Sequence, residues 1–501
     1  MSVSEQQLQD FVLNLPQIVP ESLCLQCKIC CRFPDTEKVQ TPFWAPFEAK
    51  WAKPKMPEGS SWFRQEPGSP SLSPQLVSCG GGVRCPAFEP ETNGCRIHSV
   101  KPLDCRLYPF VLTRNPGETE VLLAMDAKCP FIEQQGSDPE LLAYAAQLTQ
   151  TLDGEVGLEY LKQNPRIVGP SWPEYLYVAA LPAATAWIQD RSEHPALPHP
   201  VLQPFRQEDL PLLRRALAAR DHVASHYTVA ALLGWSDLLR LWWAPLENEG
   251  LALFAQQAGG LFMPVPPLGS RLVSSQIAKT WEILREANGG AEVSRVEGIE
   301  PQELPLFEQM GFSLREEEEE YLYLSSILTH LRGDPYRSQR WAINRCARTL
   351  SFEIRPFREK DLLPCLQLYT RWAIRRRRLS SEEIERRMLR DSLFFHRRLM
   401  MDRDSLGLLG RVLVSEGKVL AYTFGAPVSR ETFSVFLEIS EEVVPGLAQT
   451  LFREFCREIE ARGYRWINGM GSCGLDRLCR AKQAYRPAKM AATFTACEKV
   501  K

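Results

Sequence analysis

Nine of this chain's 15 cysteines fall between Cys24 and Cys129, and that crowding constrains the fold more than any other feature. The series opens as Cys24-x2-Cys27-x2-Cys30-Cys31, passes Cys79 and Cys85, and runs on as Cys95-x2-His98-x6-Cys105 to Cys129. A Cys-x2-Cys spacing lets two thiolates reach one ion from a tight loop, whereas cysteines used only for packing do not fall in such pairs. Proline is crowded in the same part, with 25 of 38 in residues 1–205. A loop-rich, proline-rich segment has no large core, so metal ligation is expected to supply part of its folding energy. Thiolates suit zinc, and they equally suit iron, alone or in an iron–sulfur cluster. The expected ligands are Cys24, Cys27, Cys30, Cys31, Cys85, Cys95, His98 and Cys105, with Cys79 and Cys129 left open. One metal with spare thiols and two metals both satisfy that count.

The rest of the chain is ordinary globular sequence. Apolar residues make up 44% and charged residues 24%, which excludes global disorder. The formal charge of −2 gives no overall pull toward nucleic acid or an acidic membrane. The longest apolar run, residues 175–188, has 14 residues and contains Pro182, too short for a span of ~20. It reads as a buried helix or helix pair. No basic, apolar leader is visible in residues 1–20, and clustered reduced thiols suit the cytoplasm, so no integral membrane segment is expected.

Residues 42–75, with seven prolines, read as irregular loop. The proline-rich stretch 193–202 reads as a linker. It separates a cysteine-cluster domain with a helical extension (1–192) from two α/β parts, 203–325 and 326–501. The acidic run 316–320 reads as a solvated face. In the last part, residues 408–414, 419–425 and 432–439 read as three antiparallel strands. Leu447, Leu451, Phe452, Phe455 and Ile459 then line one face of a helix. A strand, a helix and a final strand at 489–497 follow. Meander, helix, strand, helix, strand is the order of an acyltransferase fold of the GNAT kind. The expected fold is therefore α+β: a small Cys-rich metal-binding domain, then tandem GNAT-like domains. Acetyl-CoA enzymes of this kind hold pyrophosphate at a glycine-rich helix start. The corresponding segment here, 441–448, has one glycine and two glutamates, which disfavours acetyl-CoA.

Residues 331–411 carry 20 Lys and Arg against 10 Asp and Glu. Basic side chains interleaved with Tyr336, Trp341 and Trp372 suit a phosphate-rich partner such as tRNA. Arginines paired with glutamates on a solvated helix are the equal alternative.

Two resemblances follow. Cys24, Cys27, Cys30, Cys31, Cys85, Cys95 and the run Lys-Pro-Leu-Asp-Cys105-Arg-Leu-Tyr-Pro-Phe resemble the YkgJ-type cysteine-cluster family of zinc- or iron-chelating proteins, over residues 20–130. Residues 203–497 resemble the C-terminal domain of phosphatidylglycerol lysyltransferases. The carrying residues are Glu320-Tyr321-Leu-Tyr323, Gly333-x2-Tyr336-Arg337-x2-Arg340-x3-Asn344-Arg345, Leu437-Glu438, Asn468 and Gly474-x7-Lys482-x2-Tyr485. That resemblance implies transfer of an aminoacyl or acyl group, with aminoacyl-tRNA as donor and an amine or hydroxyl as acceptor. Glu438, Lys482 and Tyr485 are the expected catalytic residues. Tyr336, Arg337, Arg340, Asn344 and Arg345 are the expected substrate-binding set. One departure is Gly469-Met-Gly-Ser472-Cys473, where the lysyltransferases usually carry acidic residues. The competing expectation is a metal-binding or redox-sensing protein whose GNAT-like half binds a ligand or partner without catalysis.

Overall fold

The computed structural model describes residues 3–27, 30–33, 41–56, 62–79, 82–115, 117–135, 139–172, 175–191, 198–247, 249–257, 259–289, 293–379, 383–442 and 444–498. The chain divides into two units: residues 1–194 with 373–390, and residues 195–372 with 391–501. Half of the expected linker, 193–197, lies outside the described residues.

The first unit is built on an antiparallel sheet of strands Phe110–Arg114, Val121–Asp126 and Tyr175–Ala180, with Val121–Asp126 in the middle. Every residue of that central strand is buried, as an apolar strand covered on both faces must be. Helices Pro139–Leu152, Glu155–Gln163 and Pro182–Arg191 follow. Leu123, Phe110, Leu103, Ala145 and Tyr160 share one core, each large apolar side chain contributing about 1.5–3 kcal/mol. A second, smaller core of Trp44, Ala52, Met56, Ala87 and Ile97 underlies the cysteine loops.

Two expectations are corrected here. The apolar run at 175–188 is a strand, Tyr175–Ala180, followed by the helix Pro182–Arg191, not a helix or helix pair. A short apolar run carries no periodicity that separates strand from buried helix, and Pro182 fits the first turn of the new helix. Residues 42–75 are not all loop: they hold the helix Pro46–Ala52 and a hairpin of Phe63–Gln65 with Leu72–Pro74. Pro46 again stands at a helix start, where a missing N–H costs nothing.

In the second unit two sheets repeat one strand order. The first runs Gln203–Pro204, Arg240–Leu246, Gly250–Gln257, Gly260–Phe262. A parallel bridge from Met263 to Val296 joins it to Arg295–Ile299, then Phe494–Cys497, then Ser313–Glu316. The second runs Glu353–Pro356, Leu409–Ser415, Lys418–Pro427, Thr432–Ser440, Trp466–Asn468, Glu320–Leu324, Lys489–Ala491. In both, an antiparallel meander leads through a helix (Ser274–Asn288 or Leu447–Ala461) into a parallel strand. In both, the sixth strand comes from the other half of the chain. The expected single strand at 489–497 is therefore two strands, one in each sheet.

The acidic run 316–320 is a solvated face only in part: Glu316, Glu318 and Glu319 are exposed, but Glu317 and Glu320 turn inward. Glu320 is buried and accepts from the Ser225 N–H (2.8 Å), the Ser225 hydroxyl and the Asn468 side chain (2.6 Å). Glu317 accepts from Thr493 (2.8 Å) and Thr495. Its partners lie some 90–180 residues away in sequence, beyond the reach of local charge patterning.

Candidate functional sites: a thiol-lined cavity and the Glu438 cluster

The cavity of the first unit, about 680 Å³, is lined by Cys24, Cys27, Cys30, Cys31, Cys85, Cys95, Cys105 and Cys129, with His98, Lys101, Asp104 and Tyr108. Short elements bring these residues together. Helix Glu21–Gln26 carries Cys24, and the Cys27 N–H closes it on the Cys24 carbonyl. The Asn93 side chain donates to the carbonyls of Leu25 and Cys27 (2.8 Å to the latter), fixing that loop. The Cys31 carbonyl accepts from the Cys85 N–H at 3.0 Å. The hairpin Phe88–Glu89 with Gly94–Cys95 carries Cys95, helix Leu103–Leu107 carries Cys105, and the turn after Val121–Asp126 carries Cys129.

Glu48 anchors the arrangement from below. It is buried, and accepts from the N–H of Leu103 (2.8 Å), the N–H of Ala45 (2.8 Å) and the Tyr160 hydroxyl (2.9 Å). It thus ties the start of the Cys105 helix to the start of helix Pro46–Ala52. Burial pushes its carboxyl up to about 7, in spite of those three donors.

The thiols share one environment. Burial pushes Cys31 up to about 12, and Cys85 and Cys129 up to about 11. All described cysteines are free thiols. Among the described residues, no three His, Cys, Asp or Glu side chains already stand close enough to hold an ion. The donor chemistry nonetheless fits a thiophilic metal, whose charge would favour the thiolate that burial disfavours. His98 lies exposed at the cavity wall. Burial lowers its pKa, Lys101 and Arg106 add to that, and Glu21 opposes it. The side chain of Cys79 lies outside the described residues.

In the second unit, the three expected catalytic residues come together. Glu438 stands on strand Thr432–Ser440 across from Thr423. The residue is exposed overall, while the protein packed around its carboxyl pushes it up to about 7; the Lys482 ammonium pulls the other way. Tyr323, Tyr485 and Cys456 all feel its charge. Burial holds the Tyr485 phenol well above its usual range, and its ring packs edge-on against Phe452 at 5.1 Å. The Thr423 hydroxyl beside Glu438 is buried without a partner among the described residues.

Lys482 lies on helix Asp476–Gln483. Its Nζ donates to the carbonyls of Gly469 (2.6 Å), Met470 (3.2 Å) and Gly471, so all three of its protons are engaged. Burial lowers its pKa, while Cys473, Glu318 and Glu438 raise it. The N–H groups of the same loop turn to Glu318, which accepts from Ser472 (2.6 Å), Cys473 (2.6 Å) and Gly474 (3.4 Å) and from the Ser472 hydroxyl. Partial burial raises the Glu318 pKa, but those donors outweigh it and hold the carboxyl below its usual range. The 469–474 loop is thus clamped between a lysine and a glutamate. Glu318, although exposed, holds this loop through partners some 155 residues away, which the sequence reading missed.

The expected substrate-binding set lies on or beside helix Arg337–Thr349. Tyr336 is buried and donates to the Tyr485 carbonyl (3.4 Å), and Gln339 donates to that of Ala484 (2.8 Å), so this helix is docked beside the Glu438 cluster. Arg337, Asn344 and Arg345 are exposed, and Arg345 stacks over the exposed Trp341 ring at 5.3 Å. Arg340 instead donates to the carbonyls of Leu331 and Gly333 (2.6 Å to the latter), capping the preceding turn. Much of the basic excess of 331–411 is internal: Arg397 and Arg398 pair with buried Asp237, Arg355 with Asp361, and Arg411 with Glu458.

Sheet order and site together define an α+β transferase-like unit preceded by a thiol-rich domain. Residues 217–497 match the family model "Phosphatidylglycerol lysyltransferase, C-terminal", and residues 23–130 match the CxxCxxCC zinc- or iron-chelating domain. The first match covers more than half of the chain, which belongs to the phosphatidylglycerol lysyltransferase C-terminal family, with the chelating domain fused ahead of it. A conserved protein of unknown function from Bacteroides thetaiotaomicron VPI-5482 has the same fold: TM-score 0.53 and 22% identity, covering 60% of this chain and 100% of that one. L-PGS from Bacillus licheniformis aligns at TM-score 0.43 and 19% identity, over 60% of this chain and 93% of that one. No curated protein matches the chain. Among the described residues, no helix is long and apolar enough to cross a membrane.

Proposed function

We propose that the second unit transfers an aminoacyl or acyl group, with aminoacyl-tRNA as donor, to an amine or hydroxyl, and that the first unit binds zinc or iron through its thiols. The observation that carries the transferase reading is the convergence of Glu438, Tyr485 and Lys482 beside a basic helix. With a carboxyl pKa near 7, Glu438 suits a general base that takes the proton of the attacking amine or hydroxyl. The acceptor then bonds to the ester carbonyl carbon, and the bond to the tRNA ribose oxygen breaks. Tyr485, kept neutral by burial, donates a hydrogen bond to that leaving oxygen, which takes up the proton held by Glu438. Lys482 holds the 469–471 carbonyls and supplies a fixed positive charge close to Glu438. Arg337 and Arg345 engage phosphates, and the exposed Trp341 offers a stacking face for a base.

The repeated strand order supports the tandem GNAT-like reading. Acetyl-CoA is a poor fit, because the start of helix Leu447–Ala461 is already covered. Gly446 has a φ of 89°, and a Cβ there would collide with the Ala342 carbonyl of the basic helix. Glu441 beside it is tied to Arg371 at 2.9 Å.

The alternative, a unit that binds aminoacyl-tRNA without catalysis, is favoured by the 469–473 loop, which carries no carboxylate of its own. Filter binding of aminoacyl-tRNA and of acetyl-CoA to the full-length protein tests the donor. The reading expects salt-sensitive retention of aminoacyl-tRNA; retention of acetyl-CoA alone would overturn it.

A further inference from the structure

We propose that the thiol-lined cavity holds two metal sites, each of four cysteines: Cys31, Cys85, Cys95 and Cys105 form one, and Cys24, Cys27, Cys30 and Cys129 the other. This rests on the metal-binding reading above and adds to it the number of sites and the partition of the ligands.

Backbone geometry sets the division. In the first group the Cys31 carbonyl is bonded to the Cys85 N–H at 3.0 Å, and strand Arg32–Phe33, which follows Cys31, pairs with Gly82–Arg84, which precedes Cys85. The Cys85 carbonyl accepts from the Phe88 N–H at 3.1 Å, and Phe88 is the strand partner of Cys95. Electrostatic neighbours agree. Cys31 interacts most strongly with Cys85 and Cys95, and most weakly with Cys24. The thiols that act most on Cys105 are Cys85, Cys31 and Cys95, all of its own group.

In the second group, Cys24 and Cys27 share the end of one helix, and the Cys30 thiol hydrogen-bonds Cys27. The thiols that act most on Cys129 are Cys27 and Cys24, both of its own group. Cys30 and Cys31 sit at the seam, each feeling a member of the other group, as chain neighbours must.

Two further features fit. Four thiolates around a divalent ion leave a net negative site. Lys101 acts on Cys24 of one group and on Cys31 and Cys95 of the other, so one ammonium offsets part of the negative charge of both. The Tyr108 hydroxyl, bonded to Cys30 and to Asp126 at 3.3 Å, supports the second group from outside. The two groups take up all eight thiols that line the cavity, which leaves His98 outside both.

The test uses full-length protein stripped of metal and titrated anaerobically with zinc(II), and separately with cobalt(II). Each ion replaces thiol protons, roughly four per site in a weakly buffered solution. The proposal expects two zinc equivalents per chain. The two cobalt equivalents should give the same four-thiolate charge-transfer spectrum, a readout that needs no variant. Cys105→Ser and Cys129→Ser should each retain one equivalent. Cys85→Ser with Cys105→Ser should still retain one, whereas Cys105→Ser with Cys129→Ser should retain none. A single wild-type equivalent, or two cobalt equivalents with unlike spectra, overturns the partition and leaves metal binding standing. No uptake by folded wild type overturns both.

Discussion

Glu48 shows how much one side chain holds in the first unit. Three buried donors converge on its carboxylate, from the starts of two helices and from Tyr160. Glu48→Ala leaves all three unpaired and is expected to cost about 3 kcal/mol, read as a lowered urea midpoint. The pH dependence follows from the raised pKa values. Burial raises Glu48 and Asp104 to about 7, so between the unfolded carboxylate range and 7 the folded unit keeps protons that the unfolded chain has released. Stability from these two groups is therefore fully present at low pH and is lost as pH rises through about 7. Melting temperature should fall across that window, and Glu48→Gln should flatten the fall; a melting temperature that rises with pH there would contradict it. Neither carboxylate stood out in the sequence, since both act through partners that only folding brings near.

Among elements, helix Arg337–Thr349 links the basic surface to the Glu438 cluster. Its motif was legible through the resemblance to the lysyltransferases, which Tyr336, Arg337, Arg340, Asn344 and Arg345 help to carry. Its roles were not, because only packing separates Arg340, which caps a turn, from exposed Arg337 and Arg345. Replacing Arg337 and Arg345 together should weaken aminoacyl-tRNA retention and reduce its salt slope by about 1 per arginine. Arg340→Ala should act on stability first. Gly446→Ala forces a side chain into a left-handed backbone and against the Ala342 carbonyl, and is expected to destabilise by more than about 2 kcal/mol in chemical unfolding. The helix Leu447–Ala461 could be read from periodicity because it buries one face. The strand Tyr175–Ala180 could not, because an unbroken apolar run carries no period.

At the scale of the whole molecule, the two halves of the second unit exchange strands. Glu320–Leu324 lies between Trp466–Asn468 and Lys489–Ala491, and Phe494–Cys497 lies between Arg295–Ile299 and Ser313–Glu316. A cut near residue 325 therefore leaves each piece without a central strand and with unpaired edges. The two pieces should fold only when co-expressed, and should then co-purify; two independently folded fragments would contradict the exchange. Pairings of this separation leave no local pattern, which is why the two α/β parts were readable and the exchange was not.

The central claim is that aminoacyl transfer takes place at Glu438. Its most direct test follows labelled aminoacyl groups from charged tRNA into acid-stable product in cell extract, at about pH 6 and about pH 8. Wild-type protein is predicted to transfer label faster at the higher pH, as Glu438 loses its proton through about 7. Glu438→Gln should be slower by roughly 100-fold, with little dependence on pH. Equal rates for the two proteins, or no transfer by a wild type that carries its metal, would contradict the account.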